Sequence, residues 1–152
     1  MTLNIEFKKR VLDLCKKIVV ERVQNAEKAM NEAQQAANGE EKSSAGDKYE
    51  TSRAMGHLDR EMYARQFVKA KNELLKIEKI NIESLGFVKV GSILIANEMI
   101  YFVALGIGKL EIDEKTVMVI SKESPIALAM MGKKINTSFQ FNGKTWTLTE
   151  LI

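Results

Sequence analysis

Apolar or small residues recur along the first forty positions at Leu12, Cys15, Val19, Ala26, Ala29, Ala33 and Ala36. This is the three-and-four spacing of a coiled-coil seam, with Arg22 as its one polar interruption. Residues 1–38 contain neither proline nor glycine, so one long helix is expected there. The seam shrinks from Leu and Val to Ala toward its end, which lets a partner helix approach closely. Asn38-Gly39 supplies a helix stop. Ser43-Ser44 supplies a new start, with Ser44 and Asp47 spaced as a capping box. A second helix is predicted from Asp47 to Lys79, with its apolar set at Tyr49, Met55, Leu58, Met62, Tyr63, Phe67, Ala70, Leu74 and Ile77. The register of that set drifts near Met62, as at a local stutter. Helices joined by so short a connection run antiparallel. At 1.5 Å per residue each is about 50 Å long. A two-helix rod of that length buries little at its far end and is expected to project from something.

After residue 80 the pattern changes to strands. Phe87–Ile95 and Met99–Leu105 flank Asn97-Glu98 as a hairpin, and Thr116–Ile120 follows a turn at Asp113-Glu114-Lys115. Phe139–Leu148 folds about Asn142-Gly143, the preferred two-residue turn. Counting back from that turn sets Phe139 opposite Trp146. Between these strands Pro125–Met131 reads as a short helix, with Ser124 as N-cap and Gly132 just past its end. The fold class expected is α+β: a helical hairpin over residues 1–80, with its tip near 39–47, then a small antiparallel sheet domain over 81–152 with one short helix.

Charge follows the same division. The net charge of +3 resides wholly in residues 1–80, which hold 16 basic and 13 acidic side chains, whereas residues 81–152 hold seven of each. The single cysteine, Cys15, excludes an internal disulfide and any multi-cysteine metal site. It fits the seam as a structural thiol. The single histidine, His57, has no ligand at metal spacing and reads as an ordinary helix residue. No signal peptide is seen, since Glu6 and Lys8-Lys9-Arg10 interrupt the early apolar residues. No apolar run is long enough to cross a membrane, so a cytoplasmic protein is the default. Gly106-x-Gly108 lacks the third glycine of a dinucleotide fingerprint. Neither a Ser-His-Asp set nor a phosphate loop is present, so an enzyme in its own right is not expected. Lys133-Lys134 suits the C-terminal end of the short helix.

The most specific stretch is Ser121-Lys-Glu-Ser124-Pro125-Ile126-Ala127-Leu128-Ala129-Met130-Met131-Gly132-Lys133. It resembles the S-x-x-S-P-[LI]-[GA]-x-A-[LM]-[LM]-G-K stretch of the bacterial Gre transcript-cleavage factors, and that likeness covers about Leu85–Ile152. Over residues 1–80 the likeness is one of architecture. The resemblance implies an FKBP-like sheet domain whose Ser-Pro region grips the rim of the RNA polymerase secondary channel. On this chain that region is Ser124, Pro125 and Ile126, with Met130 and Met131 beside them. It also implies a coiled coil inserted into the channel. Members that stimulate cleavage carry D-[LI]-x-E-N-A-E-Y at the hairpin tip, whose first two acids help hold a second magnesium ion of the polymerase. Aligned on Tyr49, this chain has Lys42-Ser-Ser-Ala45-Gly-Asp-Lys-Tyr49, with Lys42 and Ala45 at those two positions.

Acids nevertheless surround the tip at Glu40, Glu41, Asp47 and Glu50. Magnesium takes oxygen ligands, so Glu41 and Asp47 are candidate donors to a site shared with the polymerase. The plainer reading has Asp47 and Glu50 complementing the start of the second helix. The basic residues Lys8, Lys9, Arg10, Lys16 and Lys17 offer a face for nucleic acid or an acidic surface, or else a solvated face with pairs such as Glu6–Arg10 and Asp13–Lys17. The function expected is a transcription elongation regulator that binds RNA polymerase. The alternatives are a polymerase regulator that does not stimulate cleavage, a coiled-coil adaptor for another partner, and a prolyl isomerase. The last would need a pocket lined by Phe87, Tyr101, Phe102, Phe139, Phe141 and Trp146, most of which should fill the core of so small a sheet.

Overall fold

Two long helices, α1 (Ile5–Glu41) and α2 (Asp47–Glu78), precede six strands and one short helix. The structure, a computed structural model, describes residues 3–41 and 47–152, and side chains outside residues 40–53. The chain forms two compact units. One is Lys16–Lys76; the other joins Met1–Cys15 to Ile77–Ile152.

In the Lys16–Lys76 unit the helices are antiparallel, because partners on α1 climb as those on α2 fall. Arg22 pairs with Glu73 at 3.0 Å, Arg60 donates to Gln34 at 3.3 Å, and Ala37 faces Gly56. The seam arginine therefore finds a carboxylate across the hairpin. Val19, Ala37 and Ala70 are buried, while Ala26, Ala29, Ala33, Tyr63, Phe67 and Leu74 are half-buried. Three expectations are corrected here. Ala36 is exposed and Ala37 takes its place in the seam. Met55, Leu58 and Met62 face outward at 56%, 60% and 39% exposure. The inward positions are instead Gly56, Arg60, Tyr63, Phe67, Ala70 and Leu74, an unbroken helical stripe, so there is no stutter. Reading by apolarity alone missed that a glycine can line a seam and that an arginine with a partner can occupy one. Finally, α1 does not stop at Asn38-Gly39 but runs on to Glu41. Asn38 accepts from Gln34 one turn earlier, at 2.9 Å, and so stays on the helix surface. The expected start at Ser43-Ser44, the Ser44–Asp47 capping box and the side chain of Tyr49 lie outside the described residues.

The other unit is built on a six-stranded sheet. Its strands are β1 (Ile93–Ala96), β2 (Met99–Ala104), β3 (Gly108–Ile112), β4 (Lys115–Ser121), β5 (Ser138–Phe141) and β6 (Lys144–Leu151), in the order β3-β4-β2-β1-β6-β5. Three two-residue turns close the hairpins, at Asn97-Glu98, Asp113-Glu114 and Asn142-Gly143, each with positive φ at both residues. That is the turn geometry that follows strand twist. Phe139 does pair with Trp146. The sheet is mostly antiparallel, as expected, with one parallel pair: β4 returns from the outer strand β3 and slots beside β2, so β2 and β4 run parallel. β3 itself was missed, and the first strand is four residues rather than the expected Phe87–Ile95. Residues 89–92 turn instead, with Ser92 Oγ accepting from the Lys89 amide.

One sheet face packs Leu94, Ala96, Tyr101, Val103, Phe139 and Leu148 against Met130 of the short helix α3 (Pro125–Met130). Phe139 stacks on Trp146 while Tyr101 and Phe141 meet that ring edge-on. The alternate residues Ile93, Ile100, Phe102, Val117 and Val119 are also buried. In the same unit Leu3, just before α1, and Phe7, Val11 and Cys15 in its first turns are buried at four-residue spacing. It is tied to the sheet by Leu3 N to Glu150 (2.7 Å), by Arg10 to Asp113 (2.6 Å) and by Lys115 over the Phe7 ring.

Candidate functional site

The Ser121–Lys133 stretch is a self-capped helix pinned at both ends. Ser121 ends β4. Its hydroxyl donates to Glu123, and its carbonyl accepts from Ser124 Oγ at 2.8 Å and from the Ser124 amide at 3.0 Å. Ser124 is extended, at φ −66° and ψ 148°, and its hydroxyl accepts from the Ala127 amide at 3.3 Å. Pro125 follows at the first helical position, where its missing N–H costs nothing. At the far end Gly132, with φ +79°, reverses the chain, and its amide donates to Val88 while Lys133 returns a carbonyl to the Val88 amide, both at 2.8 Å. A short helix has little stability of its own. These caps and clamps, with Ala127 and Met130 buried in the core, hold it in place.

The predicted docking residues divide by burial. Pro125 is exposed; Ser124, Ile126 and Met131 are half-buried; Met130 is fully buried and has no surface to offer. Leu128 was not singled out, yet it is 65% exposed. Its place follows from the seating of the helix: with Ala127 and Met130 turned inward, helix geometry leaves Leu128 on the outer side.

The proposed basic face is also revised. Lys9, Arg10 and Lys17 are exposed and Lys16 is half-buried, but Lys8 is fully buried and leaves that face. Its ammonium donates to the Ile82 carbonyl at 2.5 Å, while Lys89 donates to the Asn81 carbonyl at 3.0 Å. Burial, and then the charge of Lys89, lower the Lys8 pKa from 10.5 to about 8. Arg10 pairs with Asp113 rather than with Glu6. Cys15 is buried, and burial pushes its thiol up to about 12, so it is a structural thiol.

Glu40 and Glu41 fall in the last turn of α1, and Asp47 and Glu50 in the first turn of α2. Their side chains lie outside the described residues, as do residues 42–46, so the magnesium donors Glu41 and Asp47 stay an expectation. Among the described residues no three of His, Cys, Asp or Glu gather as metal ligands, and no helix is long and apolar enough to cross a membrane.

No protein-family model matches this sequence, and no curated protein does. Among solved structures, the chain is similar to GreA factor homolog 1 (Gfh1) of Thermus thermophilus at 14% identity, covering 90% of this chain and 94% of that one, with a TM-score of 0.34. A structure of the transcription factor Gfh1 aligns at 15% identity, over 99% and 96% of the two chains, also at 0.34.

Proposed function

We propose that this chain is a regulator of transcription elongation that binds RNA polymerase. The sheet unit docks through Ser124, Pro125, Ile126 and Leu128, and the helical hairpin enters the enzyme's secondary channel. The observation that carries this reading is the Ser121–Lys133 stretch. Its Gre-like sequence folds into a helix clamped at both ends, which presents Pro125 and Leu128 outward while Met130 anchors it from below. A rigidly held apolar protrusion loses little freedom on binding, which favours recognition.

At the tip, the two positions that carry acids in cleavage-stimulating factors are Lys42 and Ala45. The reading is therefore of a polymerase binder that modulates the enzyme sterically or electrostatically. Donation of a carboxylate from Glu41 or Asp47 to polymerase magnesium is its stronger form. Cleavage of backtracked transcripts by RNA polymerase, with and without this protein, separates the two. If changing Glu40, Glu41, Asp47 and Glu50 together to Ala abolishes stimulation while binding persists, the tip acids act. Binding without stimulation supports the modulator. Failure to bind removes the proposal.

A second reading, a coiled-coil adaptor for another partner, draws on the outward stripe of Met55, Leu58 and Met62. It requires that affinity capture on the full chain recover no polymerase subunits.

A further inference from the structure

Among the described residues the strand β3 ends the sheet on one side, with β4 its only neighbour. Its register against β4 sets Ile112 opposite Lys115 across the two-residue turn, then Leu110 opposite Val117 and Gly108 opposite Val119. In a hairpin of this kind the residues flanking the turn form a hydrogen-bonded pair, and bonded and non-bonded pairs alternate from there. Gly108, Leu110 and Ile112 therefore spend their backbone groups on β4. The N–H and C=O of Lys109 and Glu111 point away from the sheet, and no side chain among the described residues takes them up. Exposed edges of this kind are templates for another strand.

The sequence of this edge selects its partner. Lys109 and Glu111 stand on one face, with side chains 66% and 60% exposed and 3.8 Å apart, while Leu110 lies half-buried on the other. A second β3 laid antiparallel about Leu110 places Lys109 opposite Glu111 of the other copy, and the reverse, so two opposite-charge cross-strand pairs form at once. These are also the two residues whose backbone groups are free, so the same register closes two hydrogen-bonded pairs. Leu110 meets its own counterpart at the intervening non-bonded pair, where side chains come closest. Centring the pair on residue 109 or 111 instead opposes like charges. The charges that would repel most strands thus admit one register of one strand. The other end strand, β5, carries no charge in Ser138–Phe141 and has no such selectivity.

We propose that β3 is a self-recognition edge through which two copies of this chain associate, isologously and antiparallel about Leu110. A five-residue ladder falls in the small, weak class of interfaces, under about 1,200 Å². Association is therefore reversible and set by concentration, and it is independent of polymerase binding. Sedimentation of the full chain from micromolar to millimolar concentration tests this. A monomer–dimer equilibrium is expected, weakened about tenfold or more by Glu111→Lys, which opposes lysines at both pairs. The exchanged variant, Lys109→Glu with Glu111→Lys, restores it. Glu111→Pro, at an N–H that faces away from the sheet, abolishes association and leaves thermal unfolding nearly unchanged. A chain monomeric at millimolar concentration overturns the proposal. So does a dimer indifferent to Glu111→Lys, or one that the exchanged pair fails to restore.

Discussion

Lys8 reaches from the first turn of α1 to the carbonyl of Ile82, 74 residues later, and does so from full burial. A buried ammonium disfavours its own charge, and the nearby Lys89 adds to that. The consequence appears in stability against pH. Between its folded value of about 8 and its ordinary value of 10.5, the unfolded chain holds a proton that the folded chain has released. Stability then rises with pH, by about 1.4 kcal/mol per pH unit where the difference is one full proton. Cys15 works in the opposite sense. Its thiol is held up to about 12 from 9.0, so its contribution is complete below pH 9 and is lost as pH climbs toward 12. Burial raises Tyr101 as well and reinforces that loss. Denaturant unfolding across pH 7 to 12 is expected to show a rise from about pH 8 to 9, a plateau to about 10.5 and a fall beyond. Lys8→Met is expected to erase the rise and leave the fall.

Two glycines should respond oppositely to alanine. At Gly91, with φ +97°, an added Cβ would sit 2.2 Å from the Asn81 carbonyl oxygen, which is backbone and cannot swing aside. Gly91→Ala is expected to cost at least ~2 kcal/mol. At Gly56, inside α2, the added Cβ would meet Ala37 at 3.4 Å, an ordinary contact. Gly56→Ala is expected to stabilise the chain by about 0.5–1 kcal/mol through helix propensity. Chemical denaturation midpoints for the two variants check both signs.

Neighbouring residues of α3 should separate stability from binding. Met130 is fully buried, so Met130→Ala is expected to cost about 2–5 kcal/mol. Leu128, two residues earlier, is 65% exposed, so Leu128→Ser is expected to stay within about 0.5 kcal/mol of the parent. Thermal unfolding of the pair tests this division. If Leu128→Ser melts as Met130→Ala does, the helix is not seated as described.

Much of this architecture was legible in the sequence because it is written in local rules. The spacing from Leu12 to Val19, the Ser124-Pro125 start and the Asn142-Gly143 turn each specify their own geometry. What was missed depends on partners distant in sequence. Arg60 is inward because Gln34 lies across the hairpin, and Met62 is outward for the same reason. Lys8 read as surface charge because nothing nearby in sequence announces Ile82. Strand direction was likewise hidden: alternation in β4 reports which face is buried, not that its neighbour β2 runs parallel. In the candidate site, Ser124 and Pro125 were found by motif, whereas the exchange of Met130 for Leu128 as the outward residue required the helix's seating on the core.

The docking reading turns on whether Pro125 and Leu128 meet RNA polymerase. The most direct measurement is the affinity of the full chain for bacterial RNA polymerase core enzyme, compared with Leu128→Glu and Pro125→Ala, each first shown to unfold as the parent does. The account predicts binding by the parent chain and a loss of about tenfold or more for Leu128→Glu, since a carboxylate would be buried without a partner. Absence of binding by the parent, or equal binding by the parent and both variants, would contradict it.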